Sequence, residues 1–191
     1  MGRLKDHYFD EINSDDDGYD KYLADIEIAR AEAEIEKARA EAEKYIQNKY
    51  KECIDSGRYR NVWNTFEFHS AIWYASTEIL PKLEIQVLID AENNCFVTTG
   101  SAGYVEFGIR ELPLGLKIPI KCWIHTHPFG SAYFSNVDIR TINAMNHYIQ
   151  NAIVLGGYNH WGSWTNNSLN ELTIYVNGRE DRIQKWGDEE E

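Results

Sequence analysis

Two histidines and an aspartate lie close together in this sequence and have the side chains that hold a catalytic metal. His125 and His127 flank a single threonine, and Asp138 follows after a short segment that contains Ser135. Imidazole nitrogens and a carboxylate oxygen are zinc ligands, and three protein ligands leave a fourth tetrahedral position for water. Water at that position ionises near neutral pH and can then attack a carbonyl. The three residues predict one zinc ion per chain at a hydrolytic site.

Two local elements are expected to position these ligands. An apolar strand predicted over residues 118–124 leads into the histidines, and side chains two apart on a strand project from the same face. A helix is predicted over residues 137–148. In one interpretation Ser135 and Asp138 form a capping box at its start. In the other, the Asp138 carboxylate turns toward the histidines as third ligand, and Ser135 donates a hydrogen bond to the oxyanion of a tetrahedral intermediate.

The run His125-Thr-His-Pro128, with Ser135 and Asp138 at their spacing, resembles the JAMM motif of the MPN metalloprotease family. The likeness extends to residues 112–117, which are similar to the small archaeal members, and covers about residues 60–180. The resemblance implies a zinc isopeptidase, similar to deubiquitinases and desampylases, that cuts the amide bond between a ubiquitin-like modifier and a lysine. It also implies a three-layer α-β-α sandwich of the MPN type, like that of cytidine deaminases, with a mixed β-sheet.

The resemblance further implies an upstream glutamate that accepts a proton from the attacking water. Such a carboxylate must lie within hydrogen-bond reach and have a pKa adjusted by burial. Glu84 fits best, because it follows Pro81 and opens a predicted apolar strand. Glu78 and Glu67 stay open as alternatives, because the spacing between this glutamate and the histidines varies in the family.

Two other functions are compatible with the motif. One is a non-catalytic MPN scaffold or interaction protein, although scaffolding members commonly lose ligands and this chain keeps all three and the serine. The other is a JAMM peptidase that acts on a different peptide or amide substrate, for example in a viral or mobile-element setting.

Composition divides the chain into three parts. Residues 1–20 are acidic and predict a flexible N-terminus. Residues 21–55 lack Gly and Pro and are rich in Ala, Glu, Lys and Arg, which predicts a long helix. Its apolar positions repeat alternately every four and three residues, which indicates a coiled-coil arm for a second copy or a partner protein. The alternative is a solvated helix held by charge pairs. The resemblance implies that residues 60–186 form the metalloprotease domain.

Strand and helix patterns within the third part predict an α/β sandwich of three layers. A short helix is predicted over residues 70–80, and residues 156–170 read as a loop rich in Gly, Trp and Asn. The remaining strands are predicted over residues 62–68, 83–89, 95–99, 104–109, 151–155 and 171–176.

The charge balance excludes some classes of partner. The chain has 31 acidic and 19 basic residues, a net charge of −12, and such a surface repels nucleic-acid phosphates. No apolar run approaches the roughly 20 residues that cross a bilayer, and the first residues do not resemble a secretory signal. Three widely spaced cysteines favour reduced thiols. The sequence therefore predicts a cytoplasmic protein that binds neither nucleic acid nor membrane.

Overall fold

One mixed β-sheet organises the part of the chain that the computed structural model describes, which is residues 16–80, 82–100, 112–167 and 170–187. The sheet has seven strands within these ranges: β1 Ile85–Ile89, β2 Cys95–Thr99, β3 Cys122–Thr126, β4 Asn151–Gly157, β5 His160–Thr165, β6 Glu171–Val176 and β7 Arg179–Lys185. Their order across the sheet is β2-β1-β3-β4-β5-β6-β7. Strands β3 and β4 pair in parallel, and the other neighbours are antiparallel.

Three α-helices accompany the sheet in the described ranges: α1 Asp16–Asp55, α2 Phe66–Tyr74 and α3 Asn136–Met145. A π-helical turn, Ala75–Ile79, continues α2, and a short 3₁₀ turn, Val62–Asn64, precedes it. The long α1 confirms the N-terminal helix that the Ala/Glu-rich composition predicts. Together the helices and the mixed sheet confirm the prediction of a mixed α/β fold.

The central strands are covered on both faces. Every residue of β1 and β3 is buried, and because side chains alternate along a strand, both faces must be packed. On one face, Trp123 and Ala152 join a buried cluster with Ile142 and Met145 of α3. Helix α2 contacts β4. This packing holds β3, which carries the histidines, rigidly in the middle of the sheet.

Two local predictions are wrong. Residues 62–68 do not form a strand but the 3₁₀ turn and the start of α2, because the Thr65 hydroxyl accepts a hydrogen bond from the Phe68 N–H and caps that helix. Residues 156–170 are not only a loop, because β5 lies within them. The predicted strand at 104–109, Pro81 and residues 1–15 lie outside the described residues.

Contacts divide the chain into two units between Ala38 and Arg39, inside α1. In the second unit, α1 buries Ala42, Ile46 and Tyr50. The last turns of the helix therefore belong to the unit that contains the sheet, whereas the sequence places the division after residue 55. In the first unit Ile28 is 57% exposed, and the coiled-coil arm stays a prediction. None of the helices in the described ranges has the length and apolar character needed to cross a membrane.

Replacing Ile46 with Ala should lower the free energy of unfolding by about 2–5 kcal/mol, because a fully buried side chain leaves a cavity. Ile28→Ala, in the same helix, should change it by no more than about 0.5 kcal/mol. All six tryptophans follow Arg39, so urea unfolding followed by tryptophan fluorescence reports on the second unit. Equal effects of the two substitutions would contradict the division at Ala38.

Candidate metal centre

The two histidines lie where the parallel strands β3 and β4 end. His125 is the penultimate residue of β3, and His127 follows the strand and donates its backbone N–H to the Leu155 carbonyl of β4 at 2.8 Å. Ligands of α/β proteins bind in the crevice beyond the carboxyl ends of parallel strands. The histidines lie at the corresponding end of the one parallel pair among the described strands.

Aromatic rings fix the plane of the His125 imidazole. Trp123, two residues earlier on the same face, stacks on it with ring centroids 4.5 Å apart and an interplanar angle of 18°. Phe134 stacks with it at 6.0 Å and 25°. Burial lowers the pKa of His125, although the Asp138 charge opposes this effect. Burial therefore favours the neutral imidazole, which is the form that binds a metal.

Asp138 combines the two roles between which the sequence left a choice. Its Oδ2 accepts the Ser135 backbone N–H at 2.7 Å, and the Ser135 hydroxyl accepts the Asp138 N–H at 3.3 Å, so the capping box is formed. Its Oδ1 lies 3.1 Å from Nε2 of His125, and Oδ2 lies 3.5 Å from Nε2 of His127. Burial favours the protonated acid, but the attraction of His125 and the hydrogen bonds outweigh it and hold the pKa of Asp138 well below its usual range.

The three side chains fit a metal ion. All three are buried, and their ligand atoms lie within 4.8 Å of one another. Tetrahedral ligands at zinc distances would be about 3.3 Å apart, close to the measured separations of 3.1 and 3.5 Å. Nε2 of His125 lies close to Oδ1 of Asp138, but the two atoms are not aligned for a hydrogen bond. Neither ring nitrogen of His125 has a hydrogen-bond partner among the described residues. Unpaired buried nitrogens are costly, and a metal ion would satisfy Nε2.

Glu84 reaches the same place from the neighbouring strand. Glu84 immediately precedes β1, two residues before Gln86, which pairs with His125 of β3, and it interacts electrostatically with both His127 and Asp138. Burial raises the pKa of Glu84 to about 7; His127 opposes the shift and the Asp138 charge adds to it. A buried carboxyl group beside the three candidate ligands can therefore exchange a proton near neutral pH.

The alternative glutamates lie elsewhere on the surface. Glu67 is exposed in the first turn of α2 and accepts a hydrogen bond from the Tyr59 hydroxyl. Glu78 is exposed on the π-helical turn, near the hydroxyl of Tyr158. Of the three predicted glutamates, the structure brings Glu84 alone to the histidines within the described residues.

A close backbone contact, which the sequence did not predict, supports the loop between the ligands. A Cβ on Gly156 of β4 would lie 2.3 Å from the Ala132 nitrogen and 2.5 Å from the Ser131 carbonyl carbon. The Gln184 side chain also pairs with the Phe134 backbone, accepting its N–H at 2.7 Å and donating to its carbonyl at 2.8 Å. Both contacts join residues that are distant in sequence, so no local pattern predicts them. From sequence alone, the glycine pair at 156–157 suggests only a turn.

Comparisons of the chain with family models, with curated proteins and with solved structures found no match. The candidate metal centre therefore depends on its own geometry, and the likeness to the JAMM motif depends on the residues and spacing quoted above.

The purified protein should hold one zinc ion per chain after incubation with zinc and dialysis, as measured by elemental mass spectrometry. His125→Ala and Asp138→Ala should abolish stoichiometric binding, because each removes a buried ligand. His147→Ala is the matched control, since this histidine is exposed after α3, and it should bind zinc normally. Full zinc content in His125→Ala would show that the ion lies elsewhere.

Gly156→Ala should weaken zinc binding and destabilise the fold by about 1–3 kcal/mol, because the new methyl group must push the ligand loop away. Gly130→Ala, in that loop, is the control: its Cβ would meet nothing closer than 3.7 Å. Zinc titration and thermal unfolding of both variants measure the difference. Wild-type behaviour of Gly156→Ala would rule out the close approach.

Proposed function

We propose that this protein is a zinc-dependent isopeptidase of the JAMM type, which hydrolyses the amide bond between a ubiquitin-like modifier and a lysine. The observation that carries the proposal is the placement of the buried Glu84 carboxyl group beside the three candidate ligands His125, His127 and Asp138. Metal-assisted hydrolysis combines a Lewis acid with a group that takes and returns a proton. The three-layer MPN arrangement is part of the same proposal.

The choice of zinc follows from the ligands together with Glu84. Two histidines and one carboxylate also form the ligand set of non-haem iron oxygenases, so the three ligands alone do not select the metal. A buried carboxyl group beside the ligands has a direct use in hydrolysis, because it can accept a proton from water and return it to a leaving group. When bound, zinc supplies a Lewis acid that polarises a carbonyl and lowers the pKa of water. We therefore assign the centre to zinc.

The protein side chains would divide the proton transfers and the charge stabilisation. Glu84 accepts a proton from the attacking water, whose oxygen forms a bond to the scissile carbonyl carbon. The Ser135 hydroxyl accepts one hydrogen bond from the Asp138 N–H, so its own O–H remains available to donate a hydrogen bond to the developing oxyanion. When the C–N bond breaks, Glu84 returns its proton to the leaving lysine amine.

The substrate class rests on the resemblance and not on a docking surface. The JAMM-like spacing from His125 to Asp138 supports cleavage after the C-terminus of a ubiquitin-like or small sulfur-carrier modifier. Aromatic side chains close to the centre offer contact area for an extended tail: Phe129 and Tyr133 are exposed, and the Tyr133 ring lies 5.1 Å from that of His127.

Glu84→Gln should keep its zinc and lose about 10²–10⁴-fold in hydrolysis of a modifier–lysine conjugate, because the amide cannot carry the proton. The zinc-loaded protein is incubated with the conjugate, with and without chelator, and the products are separated by mass. Glu78→Gln and Glu67→Gln are matched controls on exposed carboxylates and should retain activity.

Two results would contradict the proposed mechanism. One is cleavage that survives chelation or the His127→Ala substitution. The other is full activity in Glu84→Gln with a loss in Glu78→Gln or Glu67→Gln, which would move the proton acceptor to another residue. Cleavage of unrelated linear peptides in preference to the conjugate would retain the chemistry and change the substrate class.

A further inference from the structure

Two buried hydroxyl groups join the strand of Glu84 to the strand of the histidines. Thr126 lies between His125 and His127, and because side chains alternate along a strand it points to the opposite face. Ser76 lies in the π-helical turn that follows α2. Both side chains are 0% exposed, and their hydroxyl oxygens are 3.0 Å apart.

The direction of their hydrogen bonds follows from counting protons. The Ile85 N–H donates to Thr126 Oγ1 at 2.9 Å, and Ser76 Oγ donates to the Leu83 carbonyl at 2.7 Å. Ser76 has one hydroxyl proton, so Thr126 must be the donor in the contact between the two hydroxyls. The path runs from the Ile85 N–H through Thr126 and Ser76 to the Leu83 carbonyl.

This path begins and ends on the two residues that flank Glu84. Glu84 itself is held by its own carbonyl, which accepts the Gly100 N–H at 2.9 Å. The Cα register of β1 with β3 ends at the pair Gln86 and His125. Beyond that pair, the backbone on either side of Glu84 is bonded to β3 and to the π-helical turn through the two hydroxyls.

We propose that Ser76 and Thr126 are positioning residues, which clamp the backbone on both sides of Glu84 and so set its carboxylate beside the ligands His127 and Asp138. The inference rests on the proposed function for the role it gives to Glu84. A misplacement of about 1 Å at a reacting group can cost about 10²-fold in rate, which is the scale of loss expected when the clamp is removed.

The test compares two pairs of variants in the zinc-loaded full chain. Thr126→Val removes the bridging hydroxyl and keeps the shape, and its control is Thr141→Val. Ser76→Ala removes the second hydroxyl, and its control is Ser70→Ala. The control hydroxyls of Thr141 and Ser70 are buried and have no hydrogen-bond partner among the described residues, so their removal breaks no bond.

Three measurements are made on each variant: zinc content, hydrogen exchange of the Ile85 amide, and kcat with KM on the conjugate. Thr126→Val should keep its zinc, expose the Ile85 amide to exchange, and lose about 10²-fold in kcat with little change in KM. Ser76→Ala should reduce kcat in the same way. Thr126→Ser, which restores the hydroxyl, should recover most of the rate, and both controls should behave as wild type.

The outcomes separate this inference from the proposed function. Wild-type kcat in both Thr126→Val and Ser76→Ala would overturn the clamp, as would a loss of zinc in Thr126→Val equal to that of His125→Ala. If even the wild type cleaves no conjugate, the proposed function fails, and a crystal structure of zinc-loaded Thr126→Val decides the clamp. A Glu84 carboxylate displaced from its wild-type position supports it, and an unmoved carboxylate overturns it.

Discussion

The carboxylate of Asp138 is the group on which the rest of the site depends, because it belongs to a helix cap and to the candidate metal centre at once. Oδ2 accepts the Ser135 N–H and fixes the start of α3, while Oδ1 faces the His125 ring at 3.1 Å. A carboxylate is favoured at a helix N-terminus, so the cap also keeps Asp138 ionised. The helix cannot shift along its axis without moving a candidate ligand, so the cap and the packing of α3 against β3 both constrain the position of the Asp138 carboxylate.

Burial of these polar groups has a cost that the surrounding apolar packing must offset. The raised pKa of Glu84 means that folding disfavours its charged form at neutral pH, and the ring nitrogens of His125 lack protein hydrogen bonds in the described residues. Trp123 and Phe134 stack with the His125 ring and belong to the large buried cluster. Strong apolar packing next to unsatisfied polar atoms is typical of a binding site, because a bound ion supplies the missing partner.

The parts of the fold that were predicted from the sequence are those set by local pattern. The run of β1, which is apolar except for Gln86, predicts a strand and the Gly-free stretch of α1 predicts a helix, and both predictions are confirmed. Residues 62–68 have aromatic and β-branched side chains that suit a strand, but the Thr65 cap begins a helix there. Strand β7 is a charged edge strand without apolar alternation, although the turn before it, Asn177-Gly178, has the positive φ angles of a tight hairpin.

The same distinction applies to the site. His125, His127, Ser135 and Asp138 come from one short segment, whose spacing identifies them before any tertiary contact is known. Glu84 was found by resemblance, since its relation to the histidines exists only once β1 pairs with β3. The sequence did not single out Thr126, because its side chain points to the face opposite the two histidines. The role of Gly156 depends on its contact with a loop that is distant in sequence. Contacts made only by strand pairing leave no local signal.

In the proposed mechanism, metal binding and proton transfer depend on different parts of the chain. The candidate ligands are held within one segment, by the capping box of Asp138 and by the aromatic rings that stack with His125. Glu84, in contrast, depends on the register of a second strand. A slip of one residue would turn Glu84 to the other face, and a slip of two would move it about 7 Å along the strand. Either slip leaves the three ligands in place. Under the proposed function, the sheet has to fix the register more tightly than metal binding alone demands, and the polar bonds beyond the last paired residues of β1 and β3 lie where that extra constraint would act.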